Sequence, residues 1–130
     1  MSDLFSLYNE IVVALRAEDD SVTLKYFHPD FVVYEDPGMP YGGVFKGGDK
    51  FIELRRKVRQ FWNLSFIAKC AEQDGNTFVA VFKATGVAGG PTDSMETVVT
   101  VVWTFQDQQA LEARVIYYDT PRLAAALANA

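Results

Sequence analysis

The spacing of apolar residues changes period along the chain, and the change divides it into two parts. Up to Asn63 the spacing is largely helical. Leu4, Tyr8, Ile11 and Leu15, widened by Leu7 and Val12, make one face of a first helix that Asp3 or Ser2 would cap. The polar run Arg16–Ser21 ends it. Asp20 or Ser21 then caps a short second helix holding Leu24 and Phe27, which stops at His28-Pro29 because the residue before proline avoids helical backbone. Phe31–Asp36 is β-branched and aromatic and reads as a strand. A Gly/Pro-rich loop follows to Gly48. Asp49 caps a third helix with Phe51, Leu54, Val58 and Phe61 on one face and Ile52 and Trp62 beside them.

After Asn63 the period becomes two. Leu64–Gln73, Thr77–Val87, Met95–Phe105 and Leu111–Tyr118 are predicted strands, with a hairpin at Asp74-Gly75-Asn76. Gly89-Gly90-Pro91 and Gln106–Gln109 separate the later ones. Thr120-Pro121 opens a terminal helix, with Asp119 before it as a cap. Helices followed by an antiparallel meander define an α+β fold. Alternation turns Leu64, Phe66, Ala68 and Cys70 inward on the first strand. It does the same for Phe78, Ala80, Phe82 and Ala84 on the second, and for Val99, Val101, Trp103 and Phe105 on the third. The last strand carries an aromatic on both faces, Tyr117 on one and Tyr118 on the other. Both faces are therefore expected to be covered, one by the helices and one by a second copy of the chain. The inner surface mixes bulky with small residues, as expected of interdigitated packing or of a cavity for an apolar ligand.

Composition narrows the function classes. A length of 130 residues, 49% of them hydrophobic and 14% aromatic, fits one domain, 1–130, with its own core. The single cysteine, Cys70, permits no intrachain disulfide and reads as a small buried hydrophobe. A net charge of −5 argues against nucleic acid as partner. No apolar run is long enough to span a membrane, and the first residues lack a signal-peptide layout, so a cytoplasmic location is expected. No cofactor is implied: Gly42-Gly43 and Gly47-Gly48 lack phosphate-loop and dinucleotide spacing, and no set of metal ligands stands out. The basic cluster Arg55-Arg-Lys-Val-Arg59 falls opposite the apolar stripe of its helix, as a solvated face does.

Two segments carry a resemblance: Phe27-His-Pro-Asp-Phe-Val-Val-Tyr-Glu-Asp-Pro37, and Pro40-Tyr-Gly-Gly-Val-Phe-Lys-Gly-Gly48 leading into the third helix. With the order of elements, they resemble the nuclear transport factor 2-like superfamily, and within it the SnoaL-like group of polyketide cyclases and ketosteroid isomerases. The resemblance implies a cone-shaped half-barrel: a curved, mostly antiparallel sheet wrapped by three N-terminal helices, with a short C-terminal helix. It implies an apolar small-molecule ligand. The strand faces give a further expectation, the outer sheet face as a functional surface that forms a homodimer through Val79, Val81, Thr100, Val102 and Tyr117. Glu35-Asp36-Pro37 is similar to the isomerase segment whose aspartate is the general base, which makes Asp36 the expected base, with Tyr34 and Arg114 as polar helpers.

The ligand would meet Tyr41 and Trp62, and on the sheet Phe66, Phe82, Val99, Val101 and Trp103, with Ile116 and Tyr118 on the last strand. His28 is expected as a helix-end residue, and Tyr41-Gly42-Gly43 as a lid or a rigid turn at the mouth. The isomerase's two oxyanion donors are missing: Ile11 stands where its tyrosine belongs, with Tyr8 one turn earlier, and Val101 where its aspartate belongs. Steroid isomerisation by that route is not expected. Isomerase, cyclase or dehydratase chemistry on a carbonyl or polyketide-like compound is one expectation, and a non-catalytic ligand-binding or protein-interaction module of the same fold is the other.

Overall fold

The computed structural model describes residues 3–72 and 75–128; Ser2 as a cap, and Gln73 and Asp74 of the expected hairpin, lie outside the described residues. Asp3 caps α1 (Leu4–Ala17), its carboxylate accepting from the Ser6 N–H at 2.7 Å. A four-residue α2 (Asp20–Thr23) and one 3-10 turn (Leu24–Tyr26) follow. The cap of α2 is Asp19, one residue ahead of the expected Asp20. Strand β1 (Phe27–Glu35) begins earlier than predicted, so His28 sits in a strand and not at a helix end. The restriction before proline excluded helix, and the chain took the extended alternative. A short edge strand, β2 (Gly43–Lys46), lies in the segment expected as loop.

Helix α3 (Gly48–Phe61) starts after Gly47, whose φ of 102° suits glycine; Asp49 falls in the first turn and is not the cap. Four long strands complete the sheet: β3 (Trp62–Ala71), β4 (Thr77–Gly86), β5 (Glu96–Gln106) and β6 (Gln109–Tyr117). The turn between β5 and β6 is two residues, Asp107 and Gln108, both with left-handed φ. Helix α4 (Thr120–Leu127) has Pro121 in its first turn; Asp119 precedes it but its carboxylate accepts from Arg122 instead of capping.

The sheet order is β2-β1-β6-β5-β4-β3, antiparallel except for the parallel β1–β6 pair. The sheet curves without closing, and α1 and α3 cover its inner face, an α+β cone. Register fixes which side chains face the helices. Val33 lies beside Ala113, Val101 beside Val115, and Val99 beside Tyr117, all on the inner face. Tyr117 was expected on the outer, dimer-forming face; it is buried inside. On β3 a bulge between Phe66 and Ala68 reverses the alternation. Ala68 and Cys70 consequently point outward, and Cys70 is exposed, contrary to the buried hydrophobe expected. Among the described residues no helix is long and apolar enough to cross a membrane.

Candidate functional site

Between the helices and the sheet lies a cavity of about 370 Å³. Its roof comes from α1 (Tyr8, Val12, Leu15, Arg16) and α3 (Phe51, Leu54, Arg55, Val58, Arg59). Its floor comes from every strand but β2, and is mostly Phe66, Phe82, Val99, Val101, Trp103 and Val115. The mixture of large and small side chains on the inner face thus leaves a space. One carboxyl opens onto it, that of Glu35, with Tyr117 beside it.

Glu35 is the last residue of β1. Phe31, Val33 and Glu35 alternate inward, so Glu35 takes the third inner position and is only 4% exposed. Burial pushes its carboxyl up to about 7; the Asp36 N–H, donating to Oε1 at 3.0 Å, and the Tyr117 hydroxyl both act to lower it. Behind Glu35 runs a chain of hydroxyls. Trp62 Nε1 donates to Tyr41 Oη at 3.1 Å, and Tyr41 Oη lies 2.9 Å from Tyr117 Oη. An indole N–H can only donate, so Tyr41 accepts from Trp62; between Tyr41 and Tyr117 either hydroxyl can donate. Burial first, and the Glu35 charge next, raises Tyr117 far above the ordinary tyrosine range; Tyr41 is pushed up to about 12, chiefly by burial. Both phenols remain neutral donors at any ordinary pH.

Tyr8 is packed face to face with Phe78, ring centroids 4.4 Å apart, and burial raises its pKa as well. Among the described residues its hydroxyl has no hydrogen-bond partner, and the indole Nε1 of Trp103 is buried without an acceptor. The Tyr8 hydroxyl is thus a neutral donor on a lining with one carboxyl, while Trp103, its Nε1 enclosed, lends the cavity only its ring. No group of His, Cys, Asp or Glu among the described residues could hold a metal ion.

Several expected site residues stand elsewhere. Asp36 does not line the cavity. Its Oδ1 accepts from the Gly38 N–H at 2.9 Å and its Oδ2 from the Thr120 hydroxyl at 2.6 Å, which ties the turn after β1 to the start of α4. Tyr34 and Arg114 are register neighbours on the outer face, the guanidinium 4.1 Å above the ring, and Arg114 pairs with Glu112. Ile116 and Tyr118, 55% and 73% exposed, share that outer face. The reason is common to all four: the strand period places Arg114, Ile116 and Tyr118 opposite Val115 and Tyr117, and Tyr34 opposite Glu35.

Tyr41 and Trp62 are buried behind the cavity wall and reach it through the hydroxyl chain, whereas Phe66, Phe82, Val99, Val101 and Trp103 line it directly. The turn bearing Tyr41 is a plug: Met39 and Tyr41 are buried, and a side chain at Gly42 would meet the Asp36 carbonyl oxygen at 2.0 Å. Arg55 and Arg59 also line the cavity, although the cluster was expected to be a solvated face. Asp36→Ala is expected to lower stability by about 1–3 kcal/mol, from two lost hydrogen bonds, and to leave binding of a fluorescent apolar probe in the cavity unchanged. Urea unfolding and probe titration of the same preparation check both halves.

A curved α+β cone with a cavity between helices and sheet is the architecture of nuclear transport factor 2-like proteins. The SnoaL-like domain family matches residues 8–113, and the chain belongs to that family. Among solved structures it is similar to a nuclear transport factor 2-like protein from Burkholderia thailandensis, with TM-score 0.74 and 20% identity over 97% of this chain and 98% of that one. It is similar also to TerC, co-crystallised with polyporic acid (TM-score 0.74, 18% identity, 96% and 98% covered). A putative polyketide cyclase from Sinorhizobium meliloti aligns with TM-score 0.63 and 14% identity over 85% and 94%. No curated protein matches the chain by sequence. At these identities the structural likeness speaks to the fold.

Proposed function

We propose that the cavity binds an apolar, ring-bearing carbonyl compound and that Glu35 moves a proton on it, as an isomerase, cyclase or dehydratase requires. The observation that carries this reading is one buried carboxyl, raised to about 7, on the wall of an otherwise apolar cavity. A base of that strength is matched to neutral pH. The Asp36 N–H and the Tyr117 hydroxyl stabilise its ionised form, and the phenol does not compete for the proton. Tyr8 offers a neutral donor to an oxygen of the ligand as charge develops there. The role expected of Asp36 thus passes to its neighbour.

The aliphatic stretch Val99, Val101 and Val115 favours a second reading, binding without turnover, because no donor stands on that part of the floor. Deuterium exchange separates the two. In D2O, 2-tetralone should lose its C1 protons faster with the protein than in buffer, and the rate should rise with pH to a plateau above about 7, since only ionised Glu35 accepts a proton. Binding of 2-tetralone with exchange no faster than buffer would establish the non-catalytic reading.

A further inference from the structure

Three arginines line this cavity, and among the described residues none of them has an acidic partner within ion-pair distance. Arg16 sits in the last turn of α1, and Arg55 and Arg59 lie four residues apart on α3. Among the described residues the ion pairs formed by arginine belong to Arg56, Arg114 and Arg122, none of which lines the cavity. Arg55 is half-buried, and its one hydrogen bond is a long one, Nη1 to the Leu15 carbonyl at 3.4 Å. Burial weighs most against its charge, then Arg59; Arg16 and Arg56 add to this, and Glu18 is the acidic group that offsets it. A helix C-terminus welcomes one cation. It does not account for three at one opening, least of all in a chain with 17 acidic residues against 12 basic ones.

We infer that Arg16, Arg55 and Arg59 form an anion-recognising rim, and that the ligand of the cavity is an apolar ring compound carrying an acidic group, a carboxylate or an acidic enol or phenol. The inference rests on the small-molecule reading above and names the ligand class within it. Guanidinium forks match planar oxyanions, and a half-desolvated one gains most from such a partner. The groups acting on Glu35 are Asp36 and Tyr117, with no arginine among them. The rim and the base are thus separate functions of one cavity. A ligand anchored by its anion at the rim presents its ring body to the interior, where Glu35, Tyr8 and Trp103 are.

Two dyes of nearly the same shape test this: 1-anilinonaphthalene-8-sulfonate, an anion, and N-phenyl-1-naphthylamine, its neutral counterpart. With the intact chain the anion should bind about tenfold more tightly or better at low salt, and lose that advantage as salt is raised. The double variant Arg16→Gln/Arg59→Gln, altered at two exposed positions, should weaken the anionic dye by about tenfold and leave the neutral dye within about twofold. Lys57→Gln, on the same helix but outside the cavity, should change neither. Equal affinity of the two dyes, or loss of the anion's advantage in Lys57→Gln, would overturn the rim and leave the small-molecule reading standing. Failure of both dyes to bind the intact chain would overturn the two together.

Discussion

Glu35→Gln is expected to make the protein more stable at pH 8, and to slow proton exchange on a bound ketone by about 10²–10⁴-fold. The two effects share one cause. In the unfolded chain the carboxyl titrates at about 4.5; in the fold it titrates at about 7. Below pH 4.5 both states are protonated and the shift has no effect. As pH rises the unfolded chain ionises first, while the folded protein must either keep its proton or bury a charge. Stability therefore falls between pH 4.5 and 7 and levels off above, by about 3 kcal/mol in total. Glutamine keeps an oxygen for the Asp36 N–H and removes the charge, so the variant should show little of this decline. Urea unfolding at pH 5 and pH 8 gives the comparison. A wild type whose stability relative to the variant is the same at both values would sink the argument, and with it Glu35 as a base poised at neutral pH. Stability given up for a functional charge is what a working carboxyl in an apolar cavity entails.

The position of Glu35 was legible before any coordinates. Strand period two, counted from Phe31, sends Val33 and Glu35 inward and Tyr34 and Asp36 outward. The resemblance to an aspartate base points to Asp36, whereas the carboxyl that faces the cavity is that of Glu35. On β6 the tie between faces is settled by pairing: Arg114 lies beside the outward Tyr34 of β1, which carries Ile116 and Tyr118 outward with it and leaves Val115 and Tyr117 within. Helix period treats the basic cluster likewise. Arg55 and Arg59 directly follow the inward Leu54 and Val58, so they flank the apolar stripe and do not oppose it.

Other features had no local signal. The bulge that exposes Cys70 depends on the pairing of β3 with β4. Strand β2 is four residues on a sheet edge, held by β1 against the turn tendency of Gly42-Gly43 at its start. The bond between Tyr41 and Tyr117 joins residues 76 apart, and only the assembled sheet brings them together. The order of elements, by contrast, was legible because the change of period from helix to strand is carried by many residues at once.

Whether the interior is open or filled is the point on which function turns, and one pair of substitutions decides it. Ala80 and Val101 are register neighbours on the inner face of β4 and β5. Ala80 is fully buried in packed core; Val101 borders the cavity. Phenylalanine at position 80 has nowhere to go, and Ala80→Phe is expected to lower stability by about 1–3 kcal/mol or more. Val101→Phe instead extends into about 370 Å³ of free space. There the ring gains contacts with Phe66, Phe82 and Trp103, and stability should hold or rise by about 0.5–2 kcal/mol. The same ring occupies the volume a ligand needs, so affinity for N-phenyl-1-naphthylamine should fall by about tenfold or more. Two aromatic insertions at adjacent positions would then move stability in opposite directions, and only the stabilising one would abolish binding. A core without a cavity makes both destabilising, and no choice of ligand could reverse that result.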